Sequence, residues 1–488
     1  MINIKALISK WFSILFLLLY IQQASAQTNK KYNVLFIAVD DLNDWVGPLD
    51  GYKGVKTPNI DKLAKEGMNF TRAYCPAPVC NPSRAALLTG VRPSTSGVYQ
   101  NWHPWRRAMP NVVTLPQYFM ANGYEVVGIS KIFHDAYNDS ASWHKYFPQL
   151  RQLTPEKNPV NGFGNFDWGP LQAKDEDMAD YTHVQHGIDF LNEKHDKPFF
   201  LAVGIKRPHL SWWVPQKYFD LYPLSTVVIP KVIPNDLSDV PPIGVTMAKR
   251  IPEGQQNAAT QNMEDHKFII EKAQWKQAIQ GYLASITFAD AMFGRLLDAL
   301  NRSPYKQNTI IIFFGDHGWH LGEKEHWRKF ALWEEATRVP FIIVAPGVAK
   351  PNSVCERTVN LMDIYPTLIS LCSLPEKEGL EAMNIMPLLK NPELSWDHPS
   401  ITTFGYGNHA VRTERWRYIQ YSDKTEELYD HNADPSEWKN LASDPKYTDT
   451  KNKLSAWLPK VNAKASPPDS SIRRGRPQNV QDSTSIRD

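Results

Sequence analysis

The chain has 488 residues, of which 42% are hydrophobic and 12% aromatic, so it can bury a large core. Its 54 Lys and Arg residues nearly balance 51 Asp and Glu residues, and a net charge of +3 is too small to predict binding to nucleic acid or to a charged membrane surface. Four cysteines in a chain of this length exclude a small disulfide-stapled scaffold. Length alone predicts two or three domains.

The N-terminal stretch, residues 1–26, is typical of a secretory signal peptide. Two lysines precede the apolar run from Trp11 to Ile21, and Ala24-Ser25-Ala26 forms a cleavage site of small residues. The run is too short to span a bilayer comfortably, and an uncleaved N-terminal anchor is the alternative. We therefore expect an exported protein, periplasmic or secreted, with no membrane attachment after cleavage.

The first predicted element is a strand. The near-continuous apolar run from Tyr32 to Val39 is typical of a central strand buried on both faces, as in α/β proteins. It ends on Asp40 and Asp41, at the carboxyl end of the strand, where open α/β sheets bind their ligands. Adjacent carboxylates repel each other unless a cation lies between them, so we expect a hard divalent ion here. A helix N-cap or a solvated turn is the alternative.

The most specific stretch is Cys80-Asn81-Pro82-Ser83-Arg84, followed closely by Leu88-Thr89-Gly90. Pro82 fits the first turn of a helix that begins at about Cys80, so the Cys80 side chain is predicted to lie at a helix N-terminus, which favours anions. A disulfide with Cys75, or an inert buried thiol, is the plain alternative. If Cys80 is modified, at most one bridge can form among the other three cysteines, and Cys355 with Cys372 is the pair to test.

Three later strands also end in residues that carry chemistry, which predicts an α/β fold with its functional groups at one edge of the sheet. The strands and the groups that follow them are Tyr124 to Ile129 with Lys131 and His134, Pro198 to Ile205 with His209, and Asn308 to Phe314 with Asp316 and His317.

The remaining segments predict the domain organisation. A polar loop, 138–172, is a candidate wall of a substrate cleft, and Glu264 to Asn301 is typical of one long helix. The composition shifts near Pro375, and short aromatic strands from Ser400 to Tyr429 predict a small antiparallel sheet. We therefore expect a catalytic domain at 27–375, a C-terminal subdomain at 376–463 and a disordered tail at 464–488.

Taken together, these motifs resemble those of the type I (formylglycine-dependent) sulfatases of the alkaline-phosphatase-like superfamily. The resemblance runs from Tyr32 to Ala442 and is closest to the iduronate-2-sulfatase-like branch. Ser130 stands where related sulfatases carry glycine. The resemblance implies a large mixed, mostly parallel sheet flanked by helices, with a smaller C-terminal α+β subdomain that contains an antiparallel sheet. The motifs that carry it are Cys80-Asn81-Pro82-Ser83-Arg84, Ser130-Lys131-Ile132-Phe133-His134, Arg207-Pro208-His209, Asp316-His317-Gly318 and Trp327-Arg328-Lys329-Phe330.

The resemblance also implies a chemical role for each motif. Cys80 would be oxidised to formylglycine by a formylglycine-generating maturation enzyme. Its hydrate has one hydroxyl to attack sulfur and a second that lets sulfate leave, which a serine lacks. Oxygen-dominated ligation favours Ca²⁺, with Mg²⁺ as the rival. The implied metal ligands are Asp40, Asp41, residue 80, Asp316 and His317. The implied sulfate-binding groups are Arg84, Lys131 and Lys329. His134 would hold the formylglycine hydroxyl, and His209 or Lys329 would protonate the leaving group.

Four residues are candidates for substrate contact. Trp102 and Trp327 are aromatic faces that suit a sugar ring, and His103 and Arg106 suit a uronate carboxylate, although buried core and solvated surface are the plain alternatives. We expect a uronate-containing sulfated polysaccharide or its oligosaccharides, either an algal ulvan-type polymer with sulfated rhamnose or a glycosaminoglycan with 2-O-sulfo-uronate. The alternatives are an arylsulfatase, a phosphate or phosphonate ester hydrolase, and a non-catalytic sugar-binding protein.

Overall fold

The computed structural model describes residues 31–134, 137–249 and 264–468. The predicted signal peptide, 1–26, and most of the predicted tail lie outside these residues. None of the described helices is long and apolar enough to cross a membrane.

Sixteen strands are present in the described residues, and eight of them form one large sheet. In chain order they are β1 Asn33–Val39, β2 Met68–Tyr74, β3 Glu125–Ile129, β4 Lys145–Phe147, β5 Trp168–Leu171, β6 Phe199–Ile205, β7 Trp212–Pro215, β8 Thr309–Gly315, β9 His320–Leu321, β10 Trp327–Arg328, β11 Phe341–Val344, β12 Ser353–Asn360, β13 Ser400–Thr403, β14 His409–Arg412, β15 Trp416–Gln420 and β16 Glu426–Asp430.

The large sheet has the order β12-β2-β11-β8-β1-β6-β3-β4. Only β11 is antiparallel to its neighbours, and the other pairs are parallel. The carboxyl ends of β1, β3, β6 and β8 therefore meet at one edge of the sheet, which brings together the polar residues that follow these strands. This architecture confirms the predicted fold class.

Helices cover both faces of the sheet. The α-helices of the described residues are α1 Pro58–Glu66, α2 Cys80–Thr89, α3 Pro93–Ser96, α4 Trp105–Ala108, α5 Leu115–Ala121, α6 Ala179–Asn192, α7 Gln216–Asp220, α8 Pro242–Ala248, α9 Asp265–Glu271, α10 Trp275–Arg302, α11 Glu334–Thr337, α12 Ile364–Leu371, α13 Met386–Lys390 and α14 Thr448–Ser455.

Strand β1 shows why a continuous apolar run belongs at the centre of the sheet. All seven of its residues are buried. Leu35 and Ile37 point into the apolar core on one face, and Val34 and Phe36 point into the separate core on the other face. A strand that is covered on both sides needs apolar residues at every position.

The predicted single helix from Glu264 to Asn301 is wrong, because the structure has two helices, α9 and α10. Ala273 takes a left-handed conformation with φ 51°, and the N–H groups of Ala273 and Gln274 close α9 by donating to the carbonyls of Ile270 and Ile269. After this break the Trp275 indole, at the start of α10, donates to the Leu321 carbonyl at 2.8 Å, and its ring lies 5.2 Å from the His266 ring of α9.

The small antiparallel sheet is present as predicted, in the order β13-β14-β15-β16. It joins the large sheet directly before the Cys80 helix, because the Thr402 hydroxyl donates to the Cys75 carbonyl at 2.6 Å and the Thr403 N–H donates to the Pro76 carbonyl at 2.9 Å. A buried ion-pair network adds a second attachment. Arg417 of β15 pairs with Glu334 of α11 and with Glu437.

The first residues of the predicted tail are ordered by contacts with the catalytic part. The Ser466 N–H donates to the Gly97 carbonyl at 2.8 Å, and the Ser466 side chain is buried. A Cβ atom on Gly97 would lie 2.3 Å from the Lys464 carbonyl oxygen, so the absence of a side chain there permits this close approach. Residues 464–468 of the predicted tail therefore pack against the catalytic part, and the boundary at 464 stays a prediction.

Candidate active site

Three buried carboxylates lie together at the edge of the sheet. Asp40 and Asp41 follow β1, and Asp316 follows β8. The Asp41 backbone is in the left-handed region, with φ 61°, and its N–H donates to Asp316 Oδ1 at 3.0 Å. Since β1 and β8 are adjacent and parallel, the sheet itself places these carboxylates side by side.

Cys80 is the first residue of α2 and is buried. Its Sγ atom lies 3.0 Å from Lys329 Nζ and 3.3 Å from His317 Nε2. Burial raises the pKa of the Cys80 thiol to about 12, although Lys131 and Lys329 act in the opposite direction. The unmodified thiol is therefore protonated at neutral pH and is a poor nucleophile.

No disulfide involves Cys80, since all four cysteines are described and all are free and buried. The alternatives of a bridge to Cys75 and of a bridge between Cys355 and Cys372 are both wrong. The Cys75 thiol lies 3.8 Å from the Ala336 carbonyl, and the Cys355 thiol lies 3.7 Å from the Pro392 carbonyl.

Arg84 connects two of the carboxylates. Its Nε lies 2.7 Å from Asp316 Oδ2, and its Nη2 lies 3.2 Å from Asp40 Oδ1. Nη1 donates to the carbonyls of Lys131 and Ile132. Arg84 is fully buried, and a planar guanidinium is the group that can satisfy these acceptors at once. In this structure Arg84 therefore orients the carboxylates.

Each of the first two carboxylates also has its own lysine. Lys131 Nζ lies 2.7 Å from Asp40 Oδ2, and Lys329 Nζ lies 2.8 Å from Asp41 Oδ1. Burial alone would raise the pKa of Asp40, but Lys131, then His209 and Arg84, hold it well below its ordinary value. Burial raises the pKa of Asp41.

Two observations are consistent with a cation site between these groups. Among the described residues, the buried Oδ2 of Asp41 has no hydrogen-bond partner. His317 Nδ1 lies 3.1 Å from the Gly318 carbonyl, which can only accept, so the neutral ring carries its proton on Nδ1 and turns the Nε2 lone pair toward Asp41 Oδ1, 3.3 Å away. Facing lone pairs of this kind repel each other. Lys329 already offsets part of this repulsion, because its Nζ lies 2.8 Å from Asp41 Oδ1, and a bound cation would offset the rest.

The donor atoms also cluster as a metal site requires. Potential ligand atoms of Asp40, Cys80, Asp316 and His317 lie within 4.8 Å of one another, and so do those of Asp41, Cys80 and His209. All of these residues are buried. A third such group, of Glu334, His431 and Glu437, is already neutralised by Arg417.

His209 borders the site on the side of Asp41. Its Nε2 lies 4.0 Å from Asp41 Oδ2, and its Nδ1 donates to the Leu210 carbonyl at 2.7 Å. Burial, together with Lys131, Lys329 and Lys206, holds the pKa of His209 well below its ordinary value. His134 is half-buried, with its ring 6.3 Å from the Tyr137 ring, and its predicted contact with residue 80 stays a prediction.

The predicted substrate residues are differently placed. Trp327 is buried, with an exposed fraction of 1%, and its ring packs against Phe166 and Trp275, so the expectation that it offers a face to a sugar is wrong. The Arg106 guanidinium is already paired with Asp139, at 2.6 Å. Because its charge is used within the fold, the structure does not support its assignment to a uronate.

The other two, Trp102 and His103, lie on the loop that follows α3. The His103 carbonyl accepts a hydrogen bond from Asn81 Nδ2 at 2.8 Å, and the rings of Trp102 and His103 are 6.0 Å apart. Trp102 is half-buried. This loop therefore lies against the N-terminal turn of α2, next to Cys80.

Two residues that support the site lack an evident sequence signal. Asn81 holds the loop at 100–103, because its Nδ2 also donates to the Gln100 carbonyl at 3.0 Å. Asp180, in the first turn of α6, accepts hydrogen bonds from the N–H groups of Lys206 and Arg207, both at 3.0 Å. These N–H groups belong to the segment that carries His209, so Asp180 fixes its path.

The sequence matches the family model described as Sulfatase over residues 32–374. The chain belongs to the sulfatase family. A second model, described as N-sulphoglucosamine sulphohydrolase, C-terminal, matches residues 322–464. This sulfatase is therefore a sulfuric ester hydrolase, as its motifs predict.

Curated relatives support the same family. The sulfatase is 40% identical to a "Sulfatase" of Formosa agariphila, with 92% of both chains covered. It is 31% identical to the iduronate 2-sulfatase of Mus musculus, covering 72% of this chain and 71% of that protein, which confirms the predicted branch. It is 30% identical to an ulvan-active sulfatase of Formosa agariphila, covering 88% and 81%.

Among solved structures, the phosphonate monoester hydrolase of Agrobacterium radiobacter superposes with a TM-score of 0.75 at 21% identity. The superposition covers 87% of this sulfatase and 94% of the hydrolase chain. The likeness confirms the alkaline-phosphatase-like fold.

Proposed function

We propose that this sulfatase is exported and removes sulfate from a uronate-containing sulfated polysaccharide or its oligosaccharides, with formylglycine at position 80 and Ca²⁺ as the metal. The substrate is either an algal ulvan-type polymer with sulfated rhamnose or a glycosaminoglycan with 2-O-sulfo-uronate. The observation that carries the proposal is the position of Cys80, at the start of α2, beside Lys329, His317 and the buried carboxylates. The names of the ulvan-active and iduronate 2-sulfatase relatives support the substrate class.

The residues that would hold the metal are Asp40, Asp41, Asp316 and His317, with residue 80. Three carboxylates and an oxygen at position 80 make an oxygen-dominated set, which favours Ca²⁺ over softer metals, with Mg²⁺ as the rival. When bound, the ion supplies positive charge for the sulfate oxygens. Arg84 fixes the Asp40 and Asp316 carboxylates, so the ligands are oriented before the metal binds.

Formylglycine at position 80 supplies an oxygen nucleophile where Sγ stands in this structure. Lys329 Nζ lies within hydrogen-bond distance of that position, so it can hold an oxygen there and neutralise a sulfate oxygen. Lys131, paired with Asp40, adds a second ammonium group to the same pocket. These fixed charges neutralise the sulfate oxygens as charge shifts in the transition state.

Of the two candidates for protonating the leaving group, His209 and Lys329, we assign this role to His209. Lys329 contacts residue 80 and Asp41 Oδ1, whereas His209 approaches the other oxygen, Asp41 Oδ2. Its Nδ1 proton is bound to the Leu210 carbonyl and its pKa is lowered by burial, so the ring is neutral before substrate binds. To protonate the leaving alcohol, Nε2 must first take up a proton, which the negative charge of a bound sulfate favours. A sugar alcohol is a poor leaving group and needs this proton.

The test is release of inorganic sulfate from defined heparan, chondroitin and ulvan fragments, with protein produced together with a formylglycine-generating maturation enzyme. Peptide mass reports whether the Cys80 thiol has been oxidised to the aldehyde, a change that removes sulfur and two hydrogens and adds one oxygen. We expect release from one fragment class and none from Cys80→Ala. Release from aryl sulfates alone would indicate an arylsulfatase, and faster cleavage of aryl phosphates would indicate a phosphate ester hydrolase.

Carbohydrate binding without sulfate release, by protein whose Cys80 stays an unmodified cysteine, would indicate the non-catalytic alternative. Export is tested separately, by locating the protein in cell fractions and sequencing its N-terminus. Protein that begins at Met1 and is found in a membrane fraction would contradict cleavage after Ala26.

A further inference from the structure

The turn between β13 and β14 is built to hold one exposed aromatic ring. Gly405 and Gly407 have φ of 70° and 74°, a conformation that glycine adopts without strain. The Phe404 N–H donates to the Asn408 carbonyl at 3.0 Å, and Asn408 Nδ2 donates back to the Phe404 carbonyl at 2.9 Å. The buried Asn408 side chain also accepts from the Ser422 N–H at 2.9 Å, so the turn is fixed at its base.

Tyr406 stands at the tip of this turn with 55% of its surface exposed. Its ring lies 6.4 Å from the Tyr99 ring, at 86°, in an edge-to-face contact. This contact supports the ring, and more than half of the residue surface stays exposed to solvent. An aromatic face held on a rigid turn loses little conformational entropy when it binds a ligand.

Two paths of contacts connect this turn with the active site. On one side, the Phe404 ring lies 6.2 Å from the Phe330 ring, and Phe330 directly follows Lys329. On the other side, the Tyr99 ring lies 6.5 Å from the His103 ring, and the His103 carbonyl is bound by Asn81, which directly follows Cys80. The turn is therefore connected by ring contacts to the segment that carries Lys329 and to the loop beside Cys80, although it belongs to the C-terminal subdomain.

We propose that Tyr406 forms a carbohydrate subsite, in which its exposed ring stacks on the apolar face of the sugar that adjoins the sulfated residue. This inference rests on the proposed function, because it assumes a substrate with more than one sugar ring. The C–H face of a pyranose is a flat apolar surface that an aromatic ring can cover. An aryl sulfate has no second sugar to place there.

The test compares Tyr406→Ala with Tyr406→Phe. We expect the alanine variant to raise KM for a sulfated tetrasaccharide about tenfold, and to raise it much less for an aryl sulfate. The phenylalanine variant keeps the ring and should stay within about twofold of the parent. Trp457→Ala is the matched control, because Trp457 is an aromatic residue of the same subdomain, 43% exposed, whose ring contacts His398.

Binding is measured as well, by titrating the tetrasaccharide into Cys80→Ala with and without Tyr406→Ala. A weaker affinity in the double variant supports the subsite even if the parent releases no sulfate, so the two proposals can fail separately. The subsite is overturned by unchanged binding, by equal rises of KM for both substrates, or by an equal effect of Trp457→Ala. Unchanged thermal unfolding of the variants confirms that the turn is intact.

Discussion

The Nζ atom of Lys329 lies 3.0 Å from the Sγ atom of Cys80, although 249 positions separate the two residues in the chain. We expect Lys329→Met to lower kcat for sulfate esters about 100-fold or more, because it removes a fixed charge beside the reacting oxygen. The control is Lys324→Met, which removes another buried lysine, paired with Asp236 at 2.7 Å. Steady-state kinetics per folded enzyme check this, and equal losses in both variants would contradict a direct role for Lys329.

Metal removal should change stability as well as activity. In EDTA we expect a lower unfolding temperature and no turnover, with both restored by Ca²⁺ more fully than by Mg²⁺. A ligand at about 100 times its Kd stabilises the folded state by about 2.7 kcal/mol. Asp41→Asn should abolish the Ca²⁺-dependent shift.

The matched control for that variant is Asp290→Asn. Asp290 is a buried carboxylate that accepts from the Asn59 and Ile60 N–H groups at the start of α1. Its replacement should lower the unfolding temperature but leave the Ca²⁺ shift intact. Calorimetry with and without Ca²⁺ measures both effects, and a Ca²⁺ shift that survives in Asp41→Asn would remove Asp41 from the metal site.

His209→Ala should slow the hydrolysis of sugar sulfates about 100-fold or more, within the range expected for loss of a general acid. Aryl sulfates should be affected less, because a phenol leaves without a proton more readily than a sugar alcohol does. The measurement is kcat across leaving groups of graded pKa, where the variant should show the steeper dependence. Equal losses on all leaving groups would end the assignment.

Asp180→Asn tests a positioning residue. An amide nitrogen cannot accept the second of the two N–H groups, from Lys206 and Arg207, that Asp180 now holds. We expect a loss of about 1–3 kcal/mol in stability, and a lower kcat for sugar sulfates with the same leaving-group dependence as His209→Ala. Asp363→Asn is the control, since Asp363 also accepts two backbone N–H groups, from Asn360 and Met383, both at 2.8 Å. A similar leaving-group effect in the control would make the role of Asp180 purely structural.

The network around Arg417 predicts sensitivity to acid. Burial alone would raise the pKa of Glu334, but Arg412 first, then His431 and Arg417, hold it well below its ordinary value. The pKa of Glu437 is also lowered, with Arg417 the foremost of the groups that outweigh its burial. A carboxylate whose pKa is lower in the folded state than in the unfolded state stabilises the fold at any pH above its unfolded pKa, about 4.3. This stabilisation is lost as the pH falls through the pKa of the folded state.

We therefore expect the unfolding temperature to hold down to about pH 5 and then to fall. Arg417→Met should lower the free energy of unfolding by about 3–5 kcal/mol at pH 7, because it leaves buried carboxylates without their cation. The stability of this variant should also depend less on pH below pH 5. Thermal unfolding from pH 3 to pH 8 checks both. An unchanged slope below pH 5 would show that other carboxylates dominate acid unfolding.

The sequence predicts the central strands well, because a strand covered on both faces must be apolar at every position, as β1 is. The edge strand β12 has no such requirement. It carries Glu356 and Arg357 at a register shift between Cys355 and Thr358, and its sequence pattern does not predict a strand. The sequence also does not predict the break between α9 and α10, because Ala273 is neither glycine nor proline and the helical spacing of apolar residues continues through it.

The same limit applies to the site. Residues that follow strands, such as Asp316, are predictable because the topology of a parallel sheet brings strand ends together. Asp180 is not, because its partners are backbone N–H groups on a segment 26 and 27 positions away. Trp327 shows that composition cannot separate an aromatic core from an aromatic binding face, since both use the same ring.

Strand β1 occupies the middle of the large sheet, and both of its neighbours come much later in the chain, with Val34 opposite Phe200 of β6 and Ile310 of β8. The sheet therefore cannot close around its first strand until synthesis has passed Gly315. Until then, an apolar strand with two unpaired edges is open to association with other chains. Strand pairs that are far apart in sequence make folding slow. The yield of folded protein therefore depends on preventing aggregation of the incomplete chain until β6 and β8 have been synthesised.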